Sequence, residues 1–159
     1  MNLKNLNELT LKDCGHTADT HINVTDGDLV DRLLYGDLHE FRYNGDKKSI
    51  ATKFDSESIA LRAIKLSLEQ NKATISAWTN TRDAKVISVR TKFQTQIGYG
   101  LVKGTPFTNK YSMSQIVVVL SLGYNGGEFN IITAYLEPNL AIEQKIQRAR
   151  NEFMSNRKK

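Results

Sequence analysis

Apolar residues recur at helical spacing through the first half of the chain. The clearest predicted helix begins after a cap at Asp55 or Ser56 and ends at Gln70, because the apolar residues within this segment share one face. The polar, glycine-containing residues 36–46 are predicted as a loop with a turn at Asn44–Gly45. Other helical segments are predicted within the first ten residues, over residues 15–22 as a small helix or turn, over residues 28–34 with Thr25 or Asp26 as cap, and over residues 72–79.

Beyond Thr81 the helical spacing gives way to segments rich in Val, Ile, Phe and Tyr, which are typical of strands. Residues 123–127 are predicted as a hairpin loop because they contain Asn-Gly, and Pro138 ends the last strand. The predicted strands are residues 86–93, 98–103, 115–122 and 128–136, and a last helix follows over residues 141–153. Helices followed by antiparallel strands predict an α+β fold, with N-terminal helices packed on one side of a curved antiparallel β-sheet.

Length and composition are those of one packed domain. The chain has 159 residues, 40% hydrophobic and 25% charged, which is close to globular averages. A membrane-spanning helix needs about 20 apolar residues, and no run approaches this length, so no membrane span is predicted. The alternating first fifteen residues predict no signal peptide. Cys14 is the one cysteine, which excludes an internal disulfide and a cysteine-based metal site.

The positive charge is concentrated near the C-terminus. Of the formal net charge of +5, residues 141–159 carry +4 and the rest of the chain +1. A basic tail attracts phosphates non-specifically through counterion release. A solvated surface helix explains the same composition, so charge alone does not identify a nucleic-acid-binding protein.

The side chains suited to proton exchange near neutral pH are three histidines, His16, His21 and His39. The chain contains no serine-hydrolase GxSxG, no Walker loop and no GxGxxG motif. His16 and His21 are five residues apart, which does not place them on one helical face, and no acidic cluster accompanies them. The sequence therefore predicts no metal site and no cofactor.

Thr133 and Tyr135 stand two residues apart in the last predicted strand, so they share one face of it. Ile132, Ala134 and Leu136 are expected on the opposite face. A hydroxyl and a phenol side by side can both donate hydrogen bonds to a phosphate, and a tyrosine can stack on a base. Taken alone, the pair is better explained as two residues of high strand propensity at the edge of the domain.

An ordered set of short motifs changes this assessment. The sequence resembles the ribonuclease A-like toxin domains at the C-terminal ends of contact-dependent growth-inhibition (CdiA-type) proteins. The motifs that carry the resemblance are residues 15–22, 29–33, 52–55, 63–64, 71–78, 97–100, 117–120 and 132–135. The resemblance implies a ribonuclease A-like domain over residues 15–138. It leaves residues 1–14 as an N-terminal arm or the remnant of a preceding region used to enter the target cell, and residues 139–159 as a basic C-terminal helix or tail.

The resemblance also implies the site. Carried over by position, the family's catalytic residues are His21, Arg32, Thr133 and Tyr135. A histidine suits the proton transfers of RNA cleavage, and an arginine offers a planar donor fork for phosphoryl oxygens. We expect His21 to be the general base. The candidates for the general acid are Tyr135, His16, Lys47 and Lys48, and the last three are also candidates for substrate binding.

The function that the resemblance implies is a metal-independent endoribonuclease toxin, cleaving RNA (transfer RNA among the candidates) by 2′-hydroxyl transesterification. Such a toxin is secreted as part of a larger surface protein, acts in the cytoplasm of a competing bacterium and is neutralised by a cognate immunity protein. One alternative is a non-catalytic RNA-binding module, which has no need of His21 beside Arg32. Another is a different toxin enzyme, such as an ADP-ribosyltransferase, which would consume NAD. The sequence predicts no oligomeric state.

Overall fold

A computed structural model describes residues 1–39, 42–43, 45, 48–123 and 127–157. Lys47, Asn44 of one predicted turn and the centre of the loop at 123–127 lie outside the described residues. The α-helices are α1 (Asp26–Tyr35), α2 (Glu57–Gln70), α3 (Lys72–Thr81) and α4 (Leu140–Arg157). Shorter helical segments are 3₁₀ turns at Leu3–Glu8 and Leu11–Asp13 and a π-helical turn at Ala18–Ile22. No helix in the described part of the chain is long and apolar enough to cross a membrane.

The strands are β1 (Leu38–His39), β2 (Arg42–Tyr43), β3 (Ile50–Phe54), β4 (Val86–Lys92), β5 (Gly98–Val102), β6 (Tyr111–Met113), β7 (Gln115–Leu122) and β8 (Phe129–Glu137). All described pairings are antiparallel, which confirms the α+β class. The prediction of one curved sheet is wrong. The strands form a two-stranded sheet, β1-β2, and two three-stranded sheets, β3-β5-β6 and β4-β7-β8. The predicted placement of the helices on a ribonuclease A-like sheet stays a prediction.

The two larger sheets meet where β3 runs beside β8. The contact there includes a hydrogen bond from the Leu136 backbone N–H to Thr52 Oγ1, 3.4 Å long. At this contact a side-chain hydroxyl, rather than a backbone carbonyl of β3, accepts the backbone N–H of β8. The site described below lies at this junction, where the π-helical turn and α1 also contribute side chains.

The helix starts follow the predicted capping chemistry. Thr25 caps α1 and forms a reciprocal capping box with Asp28, since each side chain accepts from the other residue's backbone N–H. Ser56 caps α2 by accepting from the Ile59 backbone N–H at 3.1 Å. Both caps satisfy backbone donors that a helix start otherwise leaves without partners.

Three short strand regions were not predicted. The paired strands β1 and β2 lie inside the segment predicted as a loop, and β6 has only three residues. The strand β3 was missed because Ala51, Thr52 and Phe54 are all buried, so the segment lacks the alternation of a half-exposed strand.

The main core draws on both ends of the chain. Leu3, Leu6 and Leu9 are buried in it from the N-terminal segment, and Ile146 joins it from α4. The boundaries predicted at residues 14 and 139 stay predictions. Packing links both flanking segments to the β-sheets.

Candidate active site

Two adjoining cavities open where the π-helical turn, α1, β3 and β8 meet. Their volumes are about 490 Å³ and about 650 Å³. Both are lined by Thr20, His21, Arg32 and Asp37. The first cavity adds Tyr135, Lys48 and Thr52, and the second adds Thr133, His16 and Tyr43. All four residues predicted as catalytic therefore line this pair of cavities.

His21 contacts β3, one of the strands that the sequence did not predict. Its Nδ1 lies 3.4 Å from the backbone oxygen of Thr52, and its ring centroid is 6.2 Å from that of Tyr135. A carbonyl oxygen only accepts hydrogen bonds, so the contact favours the tautomer with the proton on Nδ1. In that tautomer Nε2 keeps its lone pair and is able to take a proton from a ligand.

The surroundings of His21 keep the imidazole neutral. Burial first, and the positive charge of Arg32 second, lower its pKa to about 4, although the contact with Thr52 opposes the shift. At neutral pH the free protein therefore carries His21 as an uncharged base. This protonation state agrees with the expectation of a general base and disfavours His21 as the first proton donor.

The lowered pKa predicts a pH-dependent stability. His21 binds its proton more weakly in the folded chain than in the unfolded chain, so between pH 4 and 6.5 the unfolded chain carries more protons. The free energy of unfolding therefore rises with pH across this window. The part of the stability that depends on a neutral His21 is fully present above pH 6.5 and is lost as pH falls through about 4. The contribution is at most about 3 kcal/mol.

Urea unfolding of the wild type and of His21→Asn between pH 4 and 7 tests this expectation. The stability difference between the two proteins should grow with pH, while His16→Asn, at an exposed histidine, should follow the wild type. A difference that stays constant from pH 4 to 7 would contradict the shift.

Arg32 is buried although it is charged, with 9% of its surface exposed. Its Nη2 donates to the Thr20 oxygen at 2.6 Å, and its Nε lies 3.1 Å from Oδ1 of Asp37. Burial lowers the pKa of Arg32, and the carboxylate of Asp37 opposes that shift. These contacts fix a guanidinium at the wall shared by the two cavities, where it can bind phosphoryl oxygens.

A β-bulge sets which side chains of β8 face the site. Val119 pairs with Thr133 and Leu120 pairs with Ile131, so Ile132 has no partner in the ladder. Ile131, rather than Ile132, is therefore buried in the core, which corrects the predicted alternation. Thr133 and Tyr135 do share a face, as predicted. Oγ1 of Thr133 is buried without a hydrogen-bond partner among the described residues.

The segment before His21 is fastened to this bulge. The His16 backbone N–H donates to the Ile132 oxygen at 3.0 Å, and the Ala134 backbone N–H donates to Thr17 Oγ1 at 2.9 Å. Gly15 has φ +58°, and a Cβ there would lie 1.9 Å from the Ile132 oxygen. Sequence reasoning missed the roles of Gly15 and Thr17, although both belong to the first motif of the resemblance.

The close approach predicts that Gly15→Ala destabilises the protein more than Gly45→Ala. Gly45 also has positive φ, +78°, but a methyl group added there would meet no described atom within 4 Å. Its substitution carries the backbone penalty alone, about 1–2 kcal/mol. Gly15→Ala adds a collision with the bulge carbonyl, about 1–3 kcal/mol more. Chemical denaturation measures both, and equal losses would contradict the tight contact.

The remaining candidates are placed less centrally. His16 is exposed and lines the second cavity, whereas Lys48 is exposed and lines the first. Lys47 lies outside the described residues. Cys14 is buried, and burial raises the pKa of its thiol to about 12, so it is not a nucleophile. Among the residues that the structure describes, no group of three or more His, Cys, Asp or Glu side chains could hold a metal ion.

Comparisons with known proteins agree with this picture. The sequence profile of a family described as "Bacterial CdiA-CT RNAse A domain" matches residues 15–135, which confirms the resemblance drawn from the motifs. The fold is similar to a crystal structure of a CdiA-CT/CdiI complex from Y. kristensenii 33638, with a TM-score of 0.65 and 20% sequence identity. That match covers 78% of this chain and 100% of the other. None of the curated proteins compared matches the chain.

Proposed function

Since the chain belongs to the bacterial CdiA-CT RNase A domain family, we propose that it is a metal-independent endoribonuclease that serves as the toxic domain of a contact-dependent growth-inhibition protein. One observation carries the proposal. A neutral histidine, with Nε2 free to accept a proton, lines the same cavities as a buried arginine. A module that only binds RNA needs no such base, because phosphate contacts and stacking suffice for binding.

In the proposed reaction Nε2 of His21 takes the proton of a ribose 2′-hydroxyl. The 2′-oxygen then attacks the adjacent phosphorus, so the P–O2′ bond forms and the P–O5′ bond breaks. The products are a 2′,3′-cyclic phosphate and a free 5′-hydroxyl. A base placed in this way is typically worth about 10²–10⁴-fold in rate.

Arg32 stabilises the negative charge that builds up on the phosphoryl oxygens in the transition state. Thr133 lines the second cavity beside Arg32 and His21, which also line the first. We propose that its hydroxyl, buried without a partner among the described residues, donates to the phosphoryl group where the two cavities adjoin. We assign proton donation to the leaving 5′-oxygen to Tyr135, because its ring lies beside His21 and lines the first cavity. His16 lines only the second cavity, and Lys48 is an exposed side chain.

The biological setting follows from the family. We propose that the domain is carried by a larger secreted surface protein, acts in the cytoplasm of a neighbouring cell and is neutralised by an immunity protein. The similar chain from Y. kristensenii was crystallised as a complex of CdiA-CT with CdiI. The free thiol of Cys14 and the lack of disulfides suit a protein that works in a reducing compartment.

The sugar of the substrate gives the sharpest test of this function. We expect cleavage of a mixed-sequence RNA and no cleavage of DNA or fully 2′-O-methylated RNA of the same sequence, because both lack the attacking hydroxyl. Cleavage of all three strands would overturn the transesterification mechanism. Intact RNA, together with consumption of NAD, would favour an ADP-ribosyltransferase instead.

A further inference from the structure

An exposed aromatic pair borders the second cavity and has no role in the chemistry above. Tyr35, at the end of α1, and Tyr43, on β2, have ring centroids 5.6 Å apart and ring planes inclined by 46°. The two residues are 53% and 45% exposed. Tyr43 lines the second cavity together with His21 and Arg32, so an aromatic surface lies next to the proposed catalytic groups.

Tyr43 is fixed from two directions. Its hydroxyl donates to Oδ2 of Asp31 at 3.2 Å, and its ring packs against that of Tyr35. A large aromatic side chain that is both exposed and held in place loses little conformational freedom when a flat ligand stacks on it. The arrangement is suited to a planar group that reaches the cavity from solvent.

The charges of the two cavities differ. Asp37, paired with Arg32, is common to both. The second cavity adds the carboxylates Asp19 and Asp28, which disfavour a phosphate. The first cavity adds Lys48 and Glu137, and the carboxylate of Glu137 accepts a hydrogen bond from Arg90. A phosphate is thus better accommodated in the first cavity and an uncharged group in the second.

We propose that the second cavity is a nucleobase subsite, in which a base next to the scissile phosphate stacks on Tyr43. The inference rests on the proposed ribonuclease function, and it names the part of the RNA that the protein binds outside the reacting atoms. Stacking on tyrosine is tolerant of base identity. Asp19 and Asp28 would favour bases that present N–H donors at their edges.

Binding in the inactive His21→Asn background tests the subsite without cleavage. The probes are a short labelled single-stranded RNA of mixed sequence and an abasic ribose-phosphate chain of the same length. Adding Tyr43→Ala should weaken RNA binding about 5- to 100-fold and leave binding of the abasic chain unchanged. Tyr43→Phe keeps the ring and should bind RNA normally. So should Leu34→Ala, which removes an exposed apolar side chain that lines neither cavity.

The kinetic counterpart is a Tyr43→Ala variant with His21 intact. Its KM for RNA should rise while kcat changes little, because the base stacks on Tyr43 in both the ground state and the transition state.

An equal loss of affinity for RNA and for the abasic chain, or no loss for either, would overturn the subsite. So would normal RNA binding by a Tyr43→Ala variant that binds the immunity protein poorly. If the wild type cleaves no RNA, the proposed function fails. Tighter binding of RNA than of the abasic chain, lost in Tyr43→Ala, would still support the subsite.

Discussion

His21→Asn is expected to lose RNA cleavage by about 10²–10⁴-fold while keeping its affinity for RNA. Asparagine retains a side-chain N–H that can donate to the Thr52 oxygen, the contact made by Nδ1 of His21, but it has no basic nitrogen. The variant therefore removes the proposed base with the least disturbance of the cavity. Single-turnover cleavage rates and equilibrium binding to the same RNA measure the two properties separately.

The matched control is His16→Asn. His16 is exposed and lines only the second cavity, and the bond that fastens it to β8 is made by its backbone. We expect this variant to cleave RNA within a few-fold of the wild-type rate. If His16→Asn proved as inactive as His21→Asn, two histidines would share the chemistry. If His21→Asn cleaved RNA at the wild-type rate, the assigned base would be wrong.

Arg32→Gln is expected to lower the rate of cleavage by about 10²–10³-fold, the usual effect of removing a positioned donor from a developing negative charge. The substitution also removes the ion pair between Arg32 and Asp37, whose side chain is 38% exposed. An ion pair with an exposed partner contributes about 0–1 kcal/mol to stability, so its loss should destabilise the protein only slightly. Arg32→Lys should recover part of the rate, because it restores the charge but not the planar fork. Arg62→Gln, at an exposed position of α2 that lines neither cavity, controls for the loss of one positive charge.

The pH dependence of cleavage by Arg32→Gln separates an electrostatic effect of the substitution from misfolding. The charge of Arg32 helps to lower the pKa of His21, so Arg32→Gln should move that pKa upwards from about 4. The acid limb of kcat/KM reports the pKa of the base in the free enzyme, and it should shift to higher pH in this variant. If the acid limb lay at the same pH in Arg32→Gln and the wild type, and the rate of cleavage were unchanged, Arg32 would have no role in catalysis.

Much of the fold was predictable because local signals and tertiary packing agree. The strand at 115–122 has its predicted bounds, and Ser56 caps α2 as one of the two predicted residues. The prediction failed where a segment is buried on both sides, as in β3, or where a strand is very short, as in β6. At the division into two sheets, a hydroxyl contact links Thr52 to β8, and no periodicity reveals it.

The site could be anticipated only through the resemblance. Alternation put Thr133 and Tyr135 on one face, but nothing in the residues linked them to His21, more than a hundred positions away. The link is made by the close approach of Gly15 to the bulge at Ile132 and by the hydrogen bond from the Ala134 backbone N–H to Thr17, and the bulge itself has no sequence signal here. The lowered pKa of His21 arises from its burial in the folded chain and from the positive charge of Arg32, so it could not be predicted from the residues next to it in the sequence.

The most direct test of the central claim, a metal-free ribonuclease with His21 as its base, is an end-group analysis. Total cellular RNA is incubated in excess EDTA with the wild type or with His21→Asn, and the fragment ends are identified. We expect fragments that end in 2′,3′-cyclic phosphate and begin with a 5′-hydroxyl from the wild type, and intact RNA from the variant. Intact RNA from both proteins, or cleavage that stops when EDTA is added, would contradict the claim.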